Sequence, residues 1–286
     1  MDAFVTRTPS VHKPQPIAST SPAAARSHLA MAALAALALS GNAAAQSDVA
    51  PSTQSTSMAP QWGLGIGVGV FQSPYLGDDN KTRALPLLNY ENTWLRVAGT
   101  GADLKLGQWP LGASSSIALT GRLKYEGIGY KADDAPILAG MDERKGGFWA
   151  GGTATWTHPL VRATAEWTAD ASGHSKGQKA MLQLDRRFSV GPLGITPRVQ
   201  AQWLDKKYVD YYFGVKASEA QPNRPQYTGK AATALELGLR LDYPLQPKQT
   251  IFLDISSTQL PDEIKRSPIV GRSSLSRATI GYLYRF

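Results

Sequence analysis

The sequence predicts an antiparallel transmembrane β-barrel of about twelve strands, with ten as the alternative. Three observations predict it. Apolar residues alternate with polar residues or glycine in segment after segment from Trp62 onward, the period of a strand with two unlike faces. The connections come in two kinds, short turns and longer polar loops, the asymmetry of an outer-membrane barrel with periplasmic turns and extracellular loops. The chain ends Thr279-Ile280-Gly281-Tyr282-Leu283-Tyr284-Arg285-Phe286, an alternating strand that closes on an aromatic residue.

The chain has 286 residues and a formal net charge of +8. Residues 29–39 read LAMAALAALAL, too short for a membrane-spanning helix, which needs ~20 residues. Arg7, Lys13 and Arg26 precede this run, and small residues follow it at Ala43 to Ala45. This is the layout of a secretory signal over residues 1–45, followed by a flexible Ser/Thr/Gln/Pro-rich leader over 46–61. The barrel is expected over 62–286. The signal carries those three basic residues and Asp2, so without it the charge falls to about +6. The charges are scattered and mixed in sign, which argues against nucleic-acid binding. There is no cysteine, hence no disulfide or lipidated thiol.

The first strand, WGLGIGVGVF over 62–71, alternates Gly63, Gly65, Gly67 and Gly69 with Leu64, Ile66, Val68 and Val70. No G-x-G-x-x-G step is present, so this is no dinucleotide loop. A glycine face would leave room for opposing side chains and let a small barrel curve tightly. Further strands are expected at 83–90, 93–98, 102–107, 114–127, 146–157, 161–170, 178–189, 195–204, 231–244, 250–258 and 273–286. The hairpin 93–107, turning at Gly99-Thr100-Gly101, is the element whose loss would reduce the count to ten. Short turns fall near residues 91–92, 108–112, 158–160, 191–194 and 246–249, and long loops at 72–82, 128–145, 205–230 and 259–272. Aromatic residues sit near strand ends, among them Trp62, Tyr90, Trp156, Trp167, Trp203 and Tyr243, as amphipathic rings do at a membrane boundary. Only a closed sheet lets strands satisfy every peptide group in hydrocarbon.

Period two also sorts the charges. Arg122, Lys124, Arg162, Glu166, Asp185, Arg187, Arg198, Glu236, Arg240, Asp242, Arg277 and Arg285 fall on the inward face. In a lumen this narrow they should pair. The result is either a rigid interior crossed by ion pairs or a thin polar pore that favours anions. The loop 205–230 holds Tyr208, Asp210, Tyr211, Tyr212 and Phe213, candidates to fold into the mouth or to meet a partner.

Tyr208-Val209-Asp210-Tyr211-Tyr212-Phe213-Gly214-Val215 followed by Ala217-Ser218-Glu219-Ala220 resembles a segment of the MipA/OmpV family of outer-membrane proteins. Gly65-x-Gly67 with Pro74-x-x-Gly77, Pro86-Leu87-Leu88-Asn89-Tyr90 and Ser267-Pro268-Ile269-Val270 agree with it. Gly281, Tyr284 and Phe286 resemble the signal read by the barrel-assembly machinery. The resemblance covers 62–286 and implies a non-catalytic outer-membrane protein among lipid and lipopolysaccharide, without a cofactor. It also implies a scaffold joining a lytic transglycosylase to a murein polymerase, or alternatively a small porin-like channel. A lipid-modifying hydrolase is the remote alternative: His174 lies near Ser172 and Ser175, whereas His158 sits in a short turn. No metal-ligand spacing is apparent, though Asp78-Asp79-Asn80 and Asp133-Asp134 are loop acids that could meet a divalent ion.

Overall fold

The computed structural model describes Met1 and residues 59–286; the expected signal peptide and most of the leader lie outside the described residues. Thirteen strand segments run in order: β1 Gln61–Phe71, β2 Lys81–Glu91, β3 Leu95–Ala98, β4 Gly101–Pro110, β5 Ser116–Glu126, β6 Gly147–His158, β7 Val161–Asp170, β8 Gln178–Asp185, β9 Phe188–Val190, β10 Leu193–Leu204, β11 Ala232–Gln246, β12 Gln249–Gln259 and β13 Ser274–Arg285. β8 and β9 both pair with β10 and form one strand broken at Arg186-Arg187. The wall is therefore twelve antiparallel strands, each bonded to its sequence neighbour. β1 pairs with β13 from Gly63↔Arg285 to Phe71↔Arg277 and closes the sheet. The expected hairpin at the Gly99 turn is present, but β3 has only four residues. Among the described residues no helix is long and apolar enough to cross a membrane.

The two faces of the wall are inverted relative to a water-soluble sheet. Outward residues such as Leu64, Ile66, Leu104, Leu182, Leu235 and Ile280 are exposed, Ile66 at 65 %. Inward polar residues such as Glu166, Thr168, Lys179 and Asp185 are buried. An apolar band of this kind belongs against lipid tails. Outward rings bound it at both ends. Trp62, Tyr90, Trp109, Trp156 and Tyr243 lie near the turn end, and Tyr125, Phe148, Trp167 and Trp203 near the loop end.

The glycine face of β1 has a tighter cause than the sequence suggested. A Cβ at Gly65 would strike the Tyr282 carbonyl oxygen, and one at Gly67 would come within 2.9 Å of the Ile280 carbonyl oxygen. The stripe lets β13 come close at the closing seam, as well as leaving space for Leu85 and Leu87 opposite it on β2.

Among the described residues the hydrophobic core lies at the loop end, built mainly from loops 72–80, 127–146, 205–231 and 260–273. Tyr75, Leu138, Trp149, Val209, Tyr212, Ile264 and Ile269 are all buried in it. Within the third of these loops, helix α1 runs Lys206–Phe213. Asp205 caps it by accepting from the Tyr208 N–H at 2.8 Å, and the chain leaves the helix at Gly214. Tyr208, Val209, Tyr212 and Phe213 share its buried face. An eight-residue helix is too short to persist alone, so this packing holds it.

Candidate functional site

The inward charges assemble into three groups. The first runs along the loop-end half. The Arg122 guanidinium holds Asp103 at 2.7 Å and Glu166 at 2.5 Å; Lys124 holds Glu166 at 2.5 Å and Glu126 at 3.1 Å; Lys179 meets Glu126 at 2.5 Å. Arg122 reaches Glu166 across β6 because the intervening position is Gly151, which has no side chain to block it. The Lys179 ammonium also sits 3.9 Å from the Trp149 ring centre, an attraction between cation and ring face. The second group joins Arg198 to Asp254 by two hydrogen bonds of 2.8 and 2.9 Å, with Glu236 at 3.3 Å and Arg277 at 3.6 Å from Glu236. The third lies nearer the turns. There Arg162 pairs with Asp185 and both Arg187 and Arg240 with Asp242, each at 2.9 Å. The Arg285 guanidinium donates to the Thr250 hydroxyl at 3.3 Å and enters no ion pair among the described residues.

Eleven of the twelve inward candidates thus enter ion pairs. Asp103, Glu126, Lys179 and Asp254 were missed. Glu126 shares the parity of Arg122 and Lys124 and Lys179 that of Asp185, while Asp103 alternates with the outward Leu104 and Asp254 with the outward Leu253 and Ile255; the same alternation would have found them. A carboxylate accepting a two-pronged guanidinium is geometrically selective. Gly238 makes room for that fork, since a Cβ there would strike Arg198. Gly238→Ala should displace Arg198 and cost about 1–3 kcal/mol, read as an earlier midpoint in urea unfolding from liposomes.

Above the lumen sits the cap. Arg144 and Glu219 are both buried, with two N···O contacts of 2.9 Å. Arg144 also donates to the Tyr211 and Asp142 carbonyls at 2.8 Å each. Arg224, 1 % exposed, donates to the carbonyls of Glu219, Ile137 and Ala139. Tyr75 donates to the Tyr212 carbonyl at 3.2 Å, and the Tyr211 hydroxyl accepts from the Lys145 N–H at 2.9 Å. Asp210 accepts from the Gly229 N–H at 2.8 Å and pins the returning loop. Ser267 donates to the Phe213 carbonyl at 2.6 Å. The five loop candidates are therefore inside the cap or tie it together; Tyr208, Tyr212 and Phe213 are buried. Burial pushes the Tyr75 and Tyr208 phenols well above their ordinary values, so both stay neutral, and Tyr75 keeps the proton it donates to Tyr212.

Burial opposes the Glu219 charge, but N–H groups of Lys216 and Asp142 and the Arg144 guanidinium outweigh it and hold its pKa below the usual carboxylate value. A depressed folded-state pKa gives stability that is complete above the unfolded value, about 4.3, and is lost as pH falls through the folded value. The cap should therefore loosen on acidification below about pH 4, seen as loss of near-ultraviolet circular dichroism while the far-ultraviolet strand signal persists.

The hydrolase constellation is not assembled. Ser172 Oγ accepts from the Phe148 N–H at 2.7 Å, Ser175 donates to Asp170 at 2.9 Å, and His174 Nδ1 lies 2.9 Å from the Gly146 carbonyl oxygen. His158 Nδ1 accepts from the Leu160 N–H at 3.2 Å within its turn. The loop acids meet a side-chain cation: Lys81 stands 3.3 Å from both Asp78 and Asp134. Among the described residues no group of three possible metal ligands occurs. At the terminus, the Phe286 N–H donates to the Trp62 carbonyl at 2.9 Å, the Tyr284 and Phe286 rings lie 5.2 Å apart, and Gly281 faces Leu87 and Phe252.

The family described as MltA-interacting protein MipA matches residues 64–286. The MltA-interacting protein of Escherichia coli K12 is 28 % identical over 233 residues, covering 79 % of this chain and 90 % of that one. The outer-membrane protein Omp26La of Vibrio anguillarum is 28 % identical over 220 residues, covering 75 % and 84 %. Among solved structures, an outer-membrane channel from Pseudomonas putida F1 aligns with a TM-score of 0.45 at 13 % identity, covering 85 % of this chain and all of that one.

Proposed function

Because this chain belongs to the MltA-interacting protein MipA family and is an outer-membrane β-barrel, we propose that it acts as a non-catalytic, axially closed scaffold for murein-processing enzymes. The observation that carries this reading is the cap: a buried core with its own ion pair lies over a lumen already crossed by paired charges. A barrel filled in this way is rigid and suits a docking platform better than a diffusion pore. The partner class comes from the relative named for its interaction with MltA, a lytic transglycosylase, with a murein polymerase as the second member that the family resemblance implies. Contact is expected at the periplasmic turns, where Leu160 and Val190 are exposed.

Two measurements test this. In planar bilayers the wild-type barrel should give no stable conductance steps at neutral pH. A photo-crosslinking residue placed at Leu160 or Val190 in living cells should capture a murein hydrolase. Stable wild-type steps together with no captured murein enzyme would replace the scaffold with the diffusion-channel reading.

A further inference from the structure

The hairpin β3–β4 stops part-way up the wall. Its turn is held on one side by the Gly99 N–H donating to the Leu88 carbonyl and on the other by the Thr100 carbonyl accepting from the Tyr125 N–H, both at 3.0 Å. Beyond Leu88, β2 continues to Lys81 paired with β1 on one edge and with no strand on the other. The loop-end half of the wall therefore lacks two strands between β2 and β5. At about 4.8 Å per strand, β2 and the end of β5 stand roughly 14 Å apart at the turn; β5 ends at Glu126, and beyond it the far side is the loop 127–131, where the Arg83 guanidinium lies beside Gly127.

The edge of this notch carries backbone groups. The Leu88 carbonyl points to the β3 side, where the Gly99 N–H meets it, so by the antiparallel alternation Thr82, Ala84 and Pro86 turn their backbone groups to the same side, where no strand stands. Pro86 has no N–H to leave unpaired, the usual place for proline in a strand. The other groups cannot face lipid tails without a partner, so the notch must hold water or a bound molecule. The side chains around it say which. A cavity of about 680 Å³ opens there, lined by the outward Tyr125 and Phe148 rings and by Arg83, Lys131 and Lys145. Asp133, Asp134 and Glu143 also line it, and Asp134 holds Lys81 at 3.3 Å, so the attraction is local to Arg83, which has no carboxylate partner among the described residues, rather than a broad basic patch. Just below, Leu85 and Leu87 present an apolar inner wall opposite Gly67 and Gly65.

We propose that the notch is a lateral entry from the outer leaflet for a single-chain amphiphile with an anionic head. Its tail lies along Leu85 and Leu87 and its head meets Arg83. The opening admits one acyl chain and is too narrow for a many-chained glycolipid. This goes beyond the scaffold reading, since the cap closes the axis and the notch opens the side.

The test uses the purified folded barrel and stearic acid carrying a nitroxide near its tail end, with its methyl ester as the neutral control. The wild type should immobilise the acid more strongly than the ester. Arg83→Ala should weaken the acid about tenfold, the loss of one charge-assisted hydrogen bond, and leave the ester unchanged. Leu85→Trp should weaken both. Heat-modifiable gel mobility establishes that each variant is folded; Arg83 is exposed, so its truncation leaves the wall intact. Equal binding of acid and ester, indifference to Arg83→Ala, or binding of lipopolysaccharide without stearate would each overturn the proposal.

Discussion

Gly65→Ala should yield no folded barrel, whereas Gly121→Ala should fold as the wild type does. Both glycines lie on strands of the same wall, yet the space around them differs. A Cβ at Gly121 would meet only the Leu104 Cβ at 3.8 Å, an ordinary contact. A Cβ at Gly65 would strike the Tyr282 carbonyl oxygen and approach the Leu283 Cα to 3.0 Å. Overpacked side chains relax by rotating, at a cost of about 1–3 kcal/mol. A backbone carbonyl has no rotamer, so relief here requires moving β13 away from β1. That pairing is the seam that converts a sheet with two open edges into a cylinder. An open edge in hydrocarbon leaves a row of unpaired peptide groups, each worth several kcal/mol. The loss of the heat-modifiable folded band on a gel after refolding into liposomes is the readout. A folded Gly65→Ala barrel with native mobility would show that the seam tolerates a gap and that curvature is set elsewhere.

Much of this was legible in the sequence because a membrane barrel writes its faces into period two. Leu64, Ile66 and Val68 outward and Glu166, Asp185 and Asp242 inward follow from alternation alone, and ten of the twelve expected strands lie within two residues of those observed at both ends. The strand 178–189 was seen as continuous, but the wall breaks it at Arg186-Arg187. That break turns Arg187 toward Asp242, with Gly194 beside its guanidinium, a local event with no periodic trace. The cap was the least legible part. Loops 128–145 and 205–230 read as polar by composition, yet they fold together through Arg144, Glu219 and Arg224, which contact residues more than 60 positions away as well as near neighbours. Helix α1 was invisible because its eight residues hold four aromatics and a short apolar face that only tertiary packing stabilises. The notch leaves no trace in the sequence for a related reason: alternation reveals a short hairpin near 93–107, but only the register shows that β2 outruns β3.

Arg144→Met should open the cap without unfolding the wall. The substitution fills similar space but leaves the Glu219 carboxylate buried beside the carbonyls of an apolar core. Removing one partner of a buried pair costs about 3–5 kcal/mol, while replacing both by apolar residues is often neutral. The cap has no extended strand ladder to spread this loss; its loops are joined by isolated bridges such as Tyr75 with Val270 and by side-chain hydrogen bonds, Tyr75, Ser267 and Arg224 donating and Asp210 accepting. The wall beneath keeps its continuous pairing around the closed sheet. Arg144→Met is thus expected to retain the folded gel band yet become cleavable by trypsin at Lys206, Lys207 or Lys216 and show conductance steps absent from the wild type. The double variant Arg144→Met with Glu219→Leu should recover much of the protease resistance, because no unpaired charge is left behind. That difference separates an electrostatic latch from mere bulk at residue 144. If the single variant stayed trypsin-resistant and silent in bilayers, the pair would not be what holds the cap, and the seal would have to be assigned to the buried rings of Tyr75, Trp149, Tyr208 and Tyr212 instead.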